Sequence, residues 1–450
     1  SDRDDVRVKM EGTSVYKCCE TSKEETERKS GGIFKYLRGT GAGDADSNLS
    51  IALNCYDEAR KAMVGHLTNS EDLQSLIKKK GWVCNELGRK RLERKELDEA
   101  EVAFADAIDA FKEVADHTNI ILINCNLGHG RRALAEELVA KIENLKEHAI
   151  LHDAYMKVLQ AAKTEYRESL RFYGSAKAVV NNFTEESDLD SSHLRNEVYT
   201  QFAHTYLRLG MLLAREDTIA EVYKNCPFED SFNSCVSRHK LYRRKHAISA
   251  NDAIGEALSV YETLGELRKQ ESAFAYFQLA CYQRDCCLKY LEQDQKKDGS
   301  SNGGNSFLHR VKQYASLAEK NWQKSADFYG PKTHPSMHLA ILVERTELLL
   351  NISLLHSNVF LESALTCMLE ARRVPGDALT EDNRKICDKY WSQLQMLLKK
   401  MLSVSLSPTN SQHCASSKSA DAGKLRELYK MSLKYTEFSQ LQVMHDLWIS

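Results

Sequence analysis

The sequence predicts an all-α protein, built as an irregular tetratricopeptide-like solenoid of helical hairpins. Only 5 of its 450 residues are proline, where about 5% is usual, so long segments lack the residue that interrupts helices. Ala, Leu, Glu, Lys and Arg, which favour helices, fill those segments. Apolar residues within them recur at the three- and four-residue spacing of a buried helix face.

The clearest repeat lies in residues 81–111. The tetratricopeptide pattern places Leu-Gly near the middle of a first helix and Ala-x3-Phe in a second helix. Small residues let two antiparallel helices approach closely, and large residues fill the remaining space. A turn over residues 93–97 separates the two predicted helices. The positions that match the pattern in register are Leu87, Gly88, Ala100, Phe104 and Ala107.

The stretch NIILINCNLGHGRRALAEE, residues 119–137, allows two interpretations. If residues 120–123 form a strand, Gly128, Gly130 and Ala133 match the G-x-G-x-x-A dinucleotide fingerprint. That site also needs a second strand after the helix, and the residues that follow read as helix instead. Leu127–Gly128 comes where the first helix of a second repeat is due. We therefore favour a repeat helix.

Weaker copies of the pattern follow. Residues 198–210 supply the first-helix half of a repeat, and residues 272–286 supply another helix rich in aromatic residues. Second-helix halves are predicted at two places, at Ala318, Trp322 and Ser325 and then at Ala364, Met368 and Ala371. The segments between these copies are longer than a regular repeat, which makes the array irregular.

Polar stretches rich in glycine and serine divide the chain. We predict a disordered lead over residues 1–45, because it has too few apolar residues to offset the entropy lost on ordering. Two disordered loops are predicted at 293–306 and 405–422, and an irregular insertion at about 224–245. The helical segments are 46–292, 307–404 and a single C-terminal helix at 423–450.

Two stretches carry a resemblance to a known family: residues 119–137 and the run that begins FLHRVKQYASLAEKNW, residues 307–373. Both resemble the tetratricopeptide portion of the erythroid differentiation-related factor family, and the resemblance extends over roughly residues 50–447. It implies a nuclear protein, with the cytoplasm as a further location, that is linked to transcriptional regulation and acts through partners rather than by catalysis. Family members carry another domain ahead of the repeats, so we expect a chain that begins at Ser1 to be a fragment.

Charge and cysteine content limit the function classes. Lys and Arg number 62 against 64 Asp and Glu, a formal net charge of -2, which gives no general attraction to nucleic acid or anionic membrane. No apolar run approaches the roughly 20 residues of a membrane span. Cys226, Cys235 and His239 lack a fourth zinc ligand. We predict no cofactor, no metal and no catalytic residues.

The predicted repeats offer one functional surface. In such arrays the first helix of each repeat lines a concave face, where a protein or peptide partner is held. The polar residues predicted on this face are Asn85, Arg89, His129 and Arg132. Asn and Arg together can hold a peptide carboxylate, because the guanidinium is a planar double donor. The competing interpretation is that all four are ordinary polar residues of a helix surface.

The basic run RHKLYRRKH, residues 238–246, suggests nuclear import, contact with phosphates, or only a solvated helix start. Its cations are Arg238, Lys240, Arg243, Arg244 and Lys245. We predict a non-catalytic interaction scaffold that does not contact nucleic acid directly. One alternative is a DNA-binding transcription factor, supported by this run alone. The other is a nucleotide-binding enzyme, supported by Gly128 and Gly130 alone.

Overall fold

A computed structural model of the chain describes residues 45–64, 70–145, 152–183, 189–224, 248–295, 304–356, 359–376, 383–406 and 415–450. Every regular element within these ranges is helical, and no strand occurs among them. Helices that follow one another along the chain pack together in pairs. The predicted all-α class of helical hairpins is confirmed.

The described residues fall into two compact units, one ending at Glu216 and the other beginning at Asp217. The helices of unit 1 are α1 (Ala45–Val64), α2 (Ser70–Glu93), α3 (Leu97–Glu113), α4 (His117–Leu145), α5 (His152–Phe183) and the larger part of α6 (Leu189–Lys224). One apolar cluster joins α2, α3, α4 and α5, and a second joins α4, α5 and α6. The core of unit 1 is therefore a chain of clusters shared between neighbouring helices.

The hairpin of α2 and α3 packs as the repeat pattern predicts. A Cβ added to Gly88 would lie 2.7 Å from the Phe104 ring, so only glycine permits this approach of the two helices. Gly81 lies against Phe111, one end of the ring being 3.0 Å from such a Cβ. Since the earlier glycine faces the later ring, the two helices are antiparallel. The matched positions are all buried: Leu87, Gly88, Ala100, Phe104 and Ala107.

Two residues with left-handed backbone conformation end these helices. Lys95 (φ 63°) follows α2, and Ala115 (φ 53°) follows α3. The Glu96 N–H donates to the Arg91 carbonyl at 3.0 Å, and the Lys95 N–H donates to the Leu92 carbonyl at 3.0 Å. Two bonds of the same kind occur after α3. Both ends are Schellman motifs, which allow the next helix to begin within a few residues.

Unit 2 contains the remaining helices. They are α7 (Ala250–Leu264), α8 (Lys269–Gln295), α9 (Gly304–Phe328), α10 (Pro335–His356), α11 (Val359–Leu369), α12 (Arg384–Ser405), α13 (Ala415–Lys434) and α14 (Leu441–Ile449). Short 3-10 turns follow α7 and α11 and precede α14. One apolar cluster joins α8, α9 and α10, and another joins α10 to α14. Helix α10 thus contributes to both parts of this core.

The weaker repeat copies in unit 2 also mark buried positions. Six predicted second-helix residues have no exposed surface: Ala318, Trp322, Ser325, Ala364, Met368 and Ala371. Trp322 lies in the cluster of α8, α9 and α10, and Met368 lies in the cluster of α10 to α14. Small and large residues at this spacing therefore identify helix faces that pack against neighbours.

Several predicted segment boundaries differ from the structure. The predicted single helix at 423–450 is two helices, α13 and α14, because the side chain of Gln440 accepts hydrogen bonds from the N–H groups of Thr436 and Glu437, both at 3.1 Å, and so starts a new helical segment. Helix α13 begins at Ala415, inside the predicted loop at 405–422.

Other predicted segments lie largely outside the described residues. The predicted loop at 293–306 shortens at both ends, since α8 continues to Gln295 and α9 begins at Gly304. The predicted lead at 1–45, apart from Ala45, and almost all of the insertion at 224–245 are not described. No helix in the described part of the chain is both long and apolar enough to cross a bilayer.

We expect Ala115→Gly to stabilise unit 1 by about 1 kcal/mol, because the left-handed conformation costs a residue with a Cβ about 1–2 kcal/mol and glycine returns only part of this as backbone entropy. The control is Ala105→Gly at an exposed position inside α3, where glycine should cost about 1 kcal/mol. Urea unfolding followed by circular dichroism measures both variants. If both substitutions change the stability in the same direction, the left-handed turn at Ala115 is contradicted.

Candidate functional site

The four polar residues predicted for a peptide groove lie on the first helices of two successive hairpins, Asn85 and Arg89 on α2, His129 and Arg132 on α4. The structure brings the second pair together, with 3.4 Å between Arg132 Nη2 and His129 Nδ1. Arg89 instead contacts Glu86 of its own helix at 3.6 Å. Within the described residues, no hydrogen bond or ion pair joins Asn85 or Arg89 to the pair on α4.

The glycines of α4 serve helix packing. Helix α4 is continuous from His117 to Leu145, so the interpretation of residues 120–123 as a strand ahead of a nucleotide-binding turn is wrong. A Cβ on Gly128 would lie 2.9 Å from the Tyr173 ring of α5. The Gly128 carbonyl also accepts a hydrogen bond from the buried Ser169 hydroxyl, at 2.6 Å. Gly130 lies against Leu92 of α2, and a Cβ added to Gly130 would lie 2.5 Å from Cδ1 of Leu92.

Arg132 is buried and forms no ion pair with a carboxylate of the described residues. The residue is 7% exposed, and its guanidinium carbon lies 5.7 Å from the centre of the Tyr173 ring. Nη2 contacts His129, while Nη1 is buried and donates to no group in the described part of the chain. Removing a charge from water without a partner costs free energy. Within the described residues, the group that favours a cation at this position is the Tyr173 ring, through a cation–π contact.

Neighbouring cations of unit 1 are paired. Arg131, next in the sequence, reaches three carboxylates at 3.0–3.3 Å, those of Asp98, Glu101 and Glu165. Lys163 of α5 contacts Glu216 of α6 at 2.7 Å. Both of these cations are largely buried, as Arg132 is. The difference at Arg132 is the missing acidic partner, not the degree of burial.

Another arginine, Arg208, lies on α6, the helix that runs beside α5. Lys163 of α5 faces Glu216, and Lys177 lies 4.8 Å from the ring centre of Phe202, so α5 and α6 run antiparallel. In this register residue 213 of α6 lies opposite Tyr166, and Arg208 lies about one and a half turns away. Arg208 is half-buried and forms no ion pair within the described residues.

Tyr166 of α5 is a buried phenol at the level of Arg132, because Gly128 of α4 faces Tyr173 two turns along α5. Burial raises the pKa of Tyr166 well above its usual value and the charge of Glu136 adds to this, whereas Arg208 and Arg132 lower it. The phenol therefore stays protonated at neutral pH.

His129 is neutral at neutral pH. Burial lowers its pKa, the charge of Arg132 lowers it further, and Glu136 raises it by less. A guanidinium can only donate hydrogen bonds, so Nδ1 of His129 accepts from Arg132 and the ring proton lies on Nε2. The pair of Arg132 and His129, called the arginine site below, therefore carries the positive charge that attracts an anion.

The sequence analysis did not predict the part played by Tyr173, whose ring lies against Gly128 and 5.7 Å from the guanidinium carbon of Arg132. Tyr173 lies in a long helix without a repeat signature, so no repeat spacing relates it to Arg132.

Unit 2 contains a buried charge cluster that is fully paired. Arg284 of α8 is 1% exposed and contacts Glu344 of α10. It also contacts Asp285 at 2.7 Å and Glu347 at 3.3 Å. Glu344 in turn contacts Lys389 of α12 at 3.1 Å. These ion pairs join α8, α10 and α12, and their carboxylates satisfy the buried arginine, so the cluster fixes the positions of the three helices.

The other sequence-based candidates lie outside the described residues. These are the basic run with Arg238, Lys240, Arg243, Arg244 and Lys245, and the set of Cys226, Cys235 and His239. Across the described ranges, no group of His, Cys, Asp and Glu side chains is arranged to hold a metal ion.

The fold places the protein in the class of helical-hairpin proteins, and comparison with known proteins does not assign it to a family. No protein-family model matches the chain, and no curated protein sequence matches it significantly.

We expect unit 1 to lose stability as the pH falls below about 6.5, where an unfolded histidine takes up its proton. The folded His129 has a lowered pKa, so the unfolded state binds more protons between the two pKa values, and the stability present above the higher value is lost as the pH drops. Urea midpoints at pH 7.5 and pH 5.5 measure the loss, which His129→Gln should reduce. His338 of unit 2 has a pKa lowered by burial and remains as background. An unchanged pH dependence in the variant would contradict the burial of a neutral His129.

We expect Glu344→Gln to lower the stability of unit 2 by about 3 kcal/mol, the low end for breaking a buried pair, because Arg284 keeps two other carboxylates. The control is Glu266→Gln, which removes an exposed pair with Lys269 and should change stability by less than about 1 kcal/mol. Urea unfolding measures both variants. Equal losses of stability in the two variants would show that the buried cluster stabilises unit 2 no more than an exposed ion pair does.

Proposed function

We propose that this protein is a non-catalytic scaffold of the tetratricopeptide type, which binds a protein or peptide partner and acts in nuclear transcriptional control. The nuclear and transcriptional part rests on the resemblance of residues 119–137 and 307–373 to the erythroid differentiation-related factor family. The binding part rests on the packing of unit 1.

One observation carries the binding part: Gly88 of α2 and Gly128 of α4 each pack against an aromatic ring of the following helix. The repeated contact makes α2 and α4 equivalent members of successive hairpins. Arg89 and His129, which directly follow these glycines, are then equivalent as well. Arrays of such hairpins bind their partners through equivalent positions of successive helices. Polar side chains at these positions support recognition of a peptide.

The rival function is direct DNA binding, and its support is the basic run at 238–246. A protein held by phosphates loses affinity steeply as the salt concentration rises. A titration of the full chain with duplex DNA at low salt tests this, and absence of binding there removes the rival. The nucleotide-binding alternative has lost its sequence support, because close packing accounts for both Gly128 and Gly130.

We expect a variant with Asn85→Ala, Arg89→Gln and Arg132→Gln to lose at least one partner that the wild-type chain captures from nuclear extract. Each captured protein is then purified and titrated against both chains. The dissociation constant should rise about thirtyfold, which corresponds to the roughly 2 kcal/mol of an interface hot spot. Parallel capture from cytosolic extract tests the nuclear assignment, which fails if partners come from the cytosol alone.

A matched control carries three substitutions on the second helices of the same hairpins. Asp106→Asn and Asp109→Asn on α3 and Arg167→Gln on α5 alter exposed residues, so this control should retain every partner. If both variants bind all captured proteins as the wild type does, the predicted groove has no role in partner binding.

A further inference from the structure

We propose that Tyr199 and Phe202 of α6, called the aromatic pair below, bind the quaternary ammonium of a trimethylated lysine in a partner peptide. Lys177 of α5 occupies this position in the free protein. The site rests on the scaffold function proposed above and goes further, because it names a side chain that the partner carries. The aromatic pair attracts cations, whereas the arginine site attracts anions, so the two sites take different ligands.

One ammonium group contacts both rings of the aromatic pair. Nζ of Lys177 lies 5.0 Å from the ring centre of Tyr199 and 4.8 Å from the ring centre of Phe202. Both distances are within the roughly 6 Å over which an aromatic ring attracts a cation. Two rings around one cation form the smallest aromatic cage, the arrangement through which proteins bind methylated lysines and choline.

Charge pairing does not explain the cations at the aromatic pair. Lys177 forms no ion pair with a carboxylate of the described residues, whereas Lys163 of the same helix contacts Glu216 at 2.7 Å. Arg195 adds a second cation, since its guanidinium carbon lies 5.5 Å from the ring centre of Tyr199. It too has no ion pair in the described ranges. The aromatic rings are therefore the groups that attract both cations.

Neighbouring contacts hold both rings in place. The Tyr199 hydroxyl donates to Oδ1 of Asn181 at 2.7 Å. The ring of Tyr206 meets the ring of Phe202 edge to face, with 4.9 Å between the ring centres. Spacings of three and four residues place all three aromatic residues on one face of α6. Each of them is partly exposed, so a side chain from outside can reach rings that are already ordered, which reduces the entropy lost on binding.

A trimethylated lysine suits the aromatic pair better than Lys177 does. The primary ammonium of lysine is compact and strongly hydrated, so its contact with a ring is opposed by the loss of water. Three methyl groups keep the charge, remove the N–H donors and add apolar surface that the rings bury. Lys177 can leave the rings, because its four-carbon stem is flexible and no carboxylate of the described residues holds its ammonium.

Choline carries the same quaternary ammonium group as trimethyllysine. A scaffold that binds peptides meets the lysine form as part of its partner, which is why we assign the site to a peptide side chain. The cations of Lys177 and Arg195 would also attract the phosphate of phosphocholine. Phosphocholine is therefore the rival ligand in the test.

The test is fluorescence anisotropy of the full chain with labelled peptides whose termini are blocked. Three peptides share one glycine- and serine-rich sequence and differ in the central side chain, which is trimethyllysine, lysine, or a neutral analogue with a tert-butyl group. We expect the trimethyllysine peptide to bind about tenfold tighter than either of the others, because a desolvated cation–π contact exceeds an exposed one by roughly this factor. Phosphocholine is then titrated as a competitor.

Removal of the resident cation should strengthen binding. Lys177→Gln should bind the trimethyllysine peptide about threefold tighter than the wild type, because an exposed cation–π contact no longer competes with the ligand. A gain of binding cannot result from loss of the fold. The matched control is Lys157→Gln, which alters an exposed lysine of the same helix and should leave binding unchanged.

Removal of either ring should weaken binding. Tyr199→Leu and Phe202→Leu each keep an apolar side chain without a ring, so each should bind the trimethyllysine peptide about tenfold more weakly. Tyr199→Phe keeps the ring and should bind as the wild type does. Thermal unfolding followed by circular dichroism identifies any variant that has lost its fold, and Lys177→Gln then remains as the deciding variant.

Four results would overturn the assignment. Equal binding of trimethyllysine and its neutral analogue excludes a cation site, and unchanged or weaker binding by Lys177→Gln excludes competition for the rings. Tighter binding of phosphocholine than of the trimethyllysine peptide assigns the rings to a choline group instead. If the trimethyllysine peptide does not bind but partner capture still depends on the predicted groove, the scaffold function stands and the trimethyllysine site falls. If capture is independent of the groove as well, both fall.

Discussion

The contact between a glycine of one helix and an aromatic ring of the next determines the geometry of unit 1. Gly88 against Phe104 and Gly128 against Tyr173 bring the helix axes closer than any Cβ would allow. The register that results decides which residues of α4 face α5. Tyr173 in turn lies beneath the guanidinium of Arg132, so the packing contact and the candidate site share a residue. A larger side chain at Gly128 would displace both.

The sequence predicted these hairpins because the small and large residues that pack together are close in the chain. Leu87–Gly88 and Ala100-x3-Phe104 span one short turn, so the pattern is visible without a structure. Features that depend on longer connections were not predictable in the same way. Helix α5 runs from His152 to Phe183, and no repeat spacing relates it to α6. The break before α14 depends on one side chain, that of Gln440.

The pairing of charges at the candidate site was also not predictable from the repeat pattern. Arg131 and Arg132 are neighbours of the same type, and the repeat pattern gives no reason to treat them differently. The structure separates them: Arg131 faces α3 and α5 and contacts three carboxylates, whereas Arg132 faces Tyr173 and contacts no carboxylate of the described residues. Whether an arginine is paired depends on residues from other helices, and so the sequence alone placed Arg132 on a surface without indicating its burial.

Arg284 and Arg132 show how one residue type can serve two purposes. Both are buried, and both lie on helices that pack against neighbours on more than one side. Arg284 is surrounded by carboxylates from its own chain, so removing it would leave unpaired acids in the core and lower stability. Removing Arg132 would leave no carboxylate unpaired among the residues that the structure describes. The two arginines therefore differ in what their removal leaves behind: unpaired carboxylates around Arg284, and an uncovered Tyr173 ring beside Arg132.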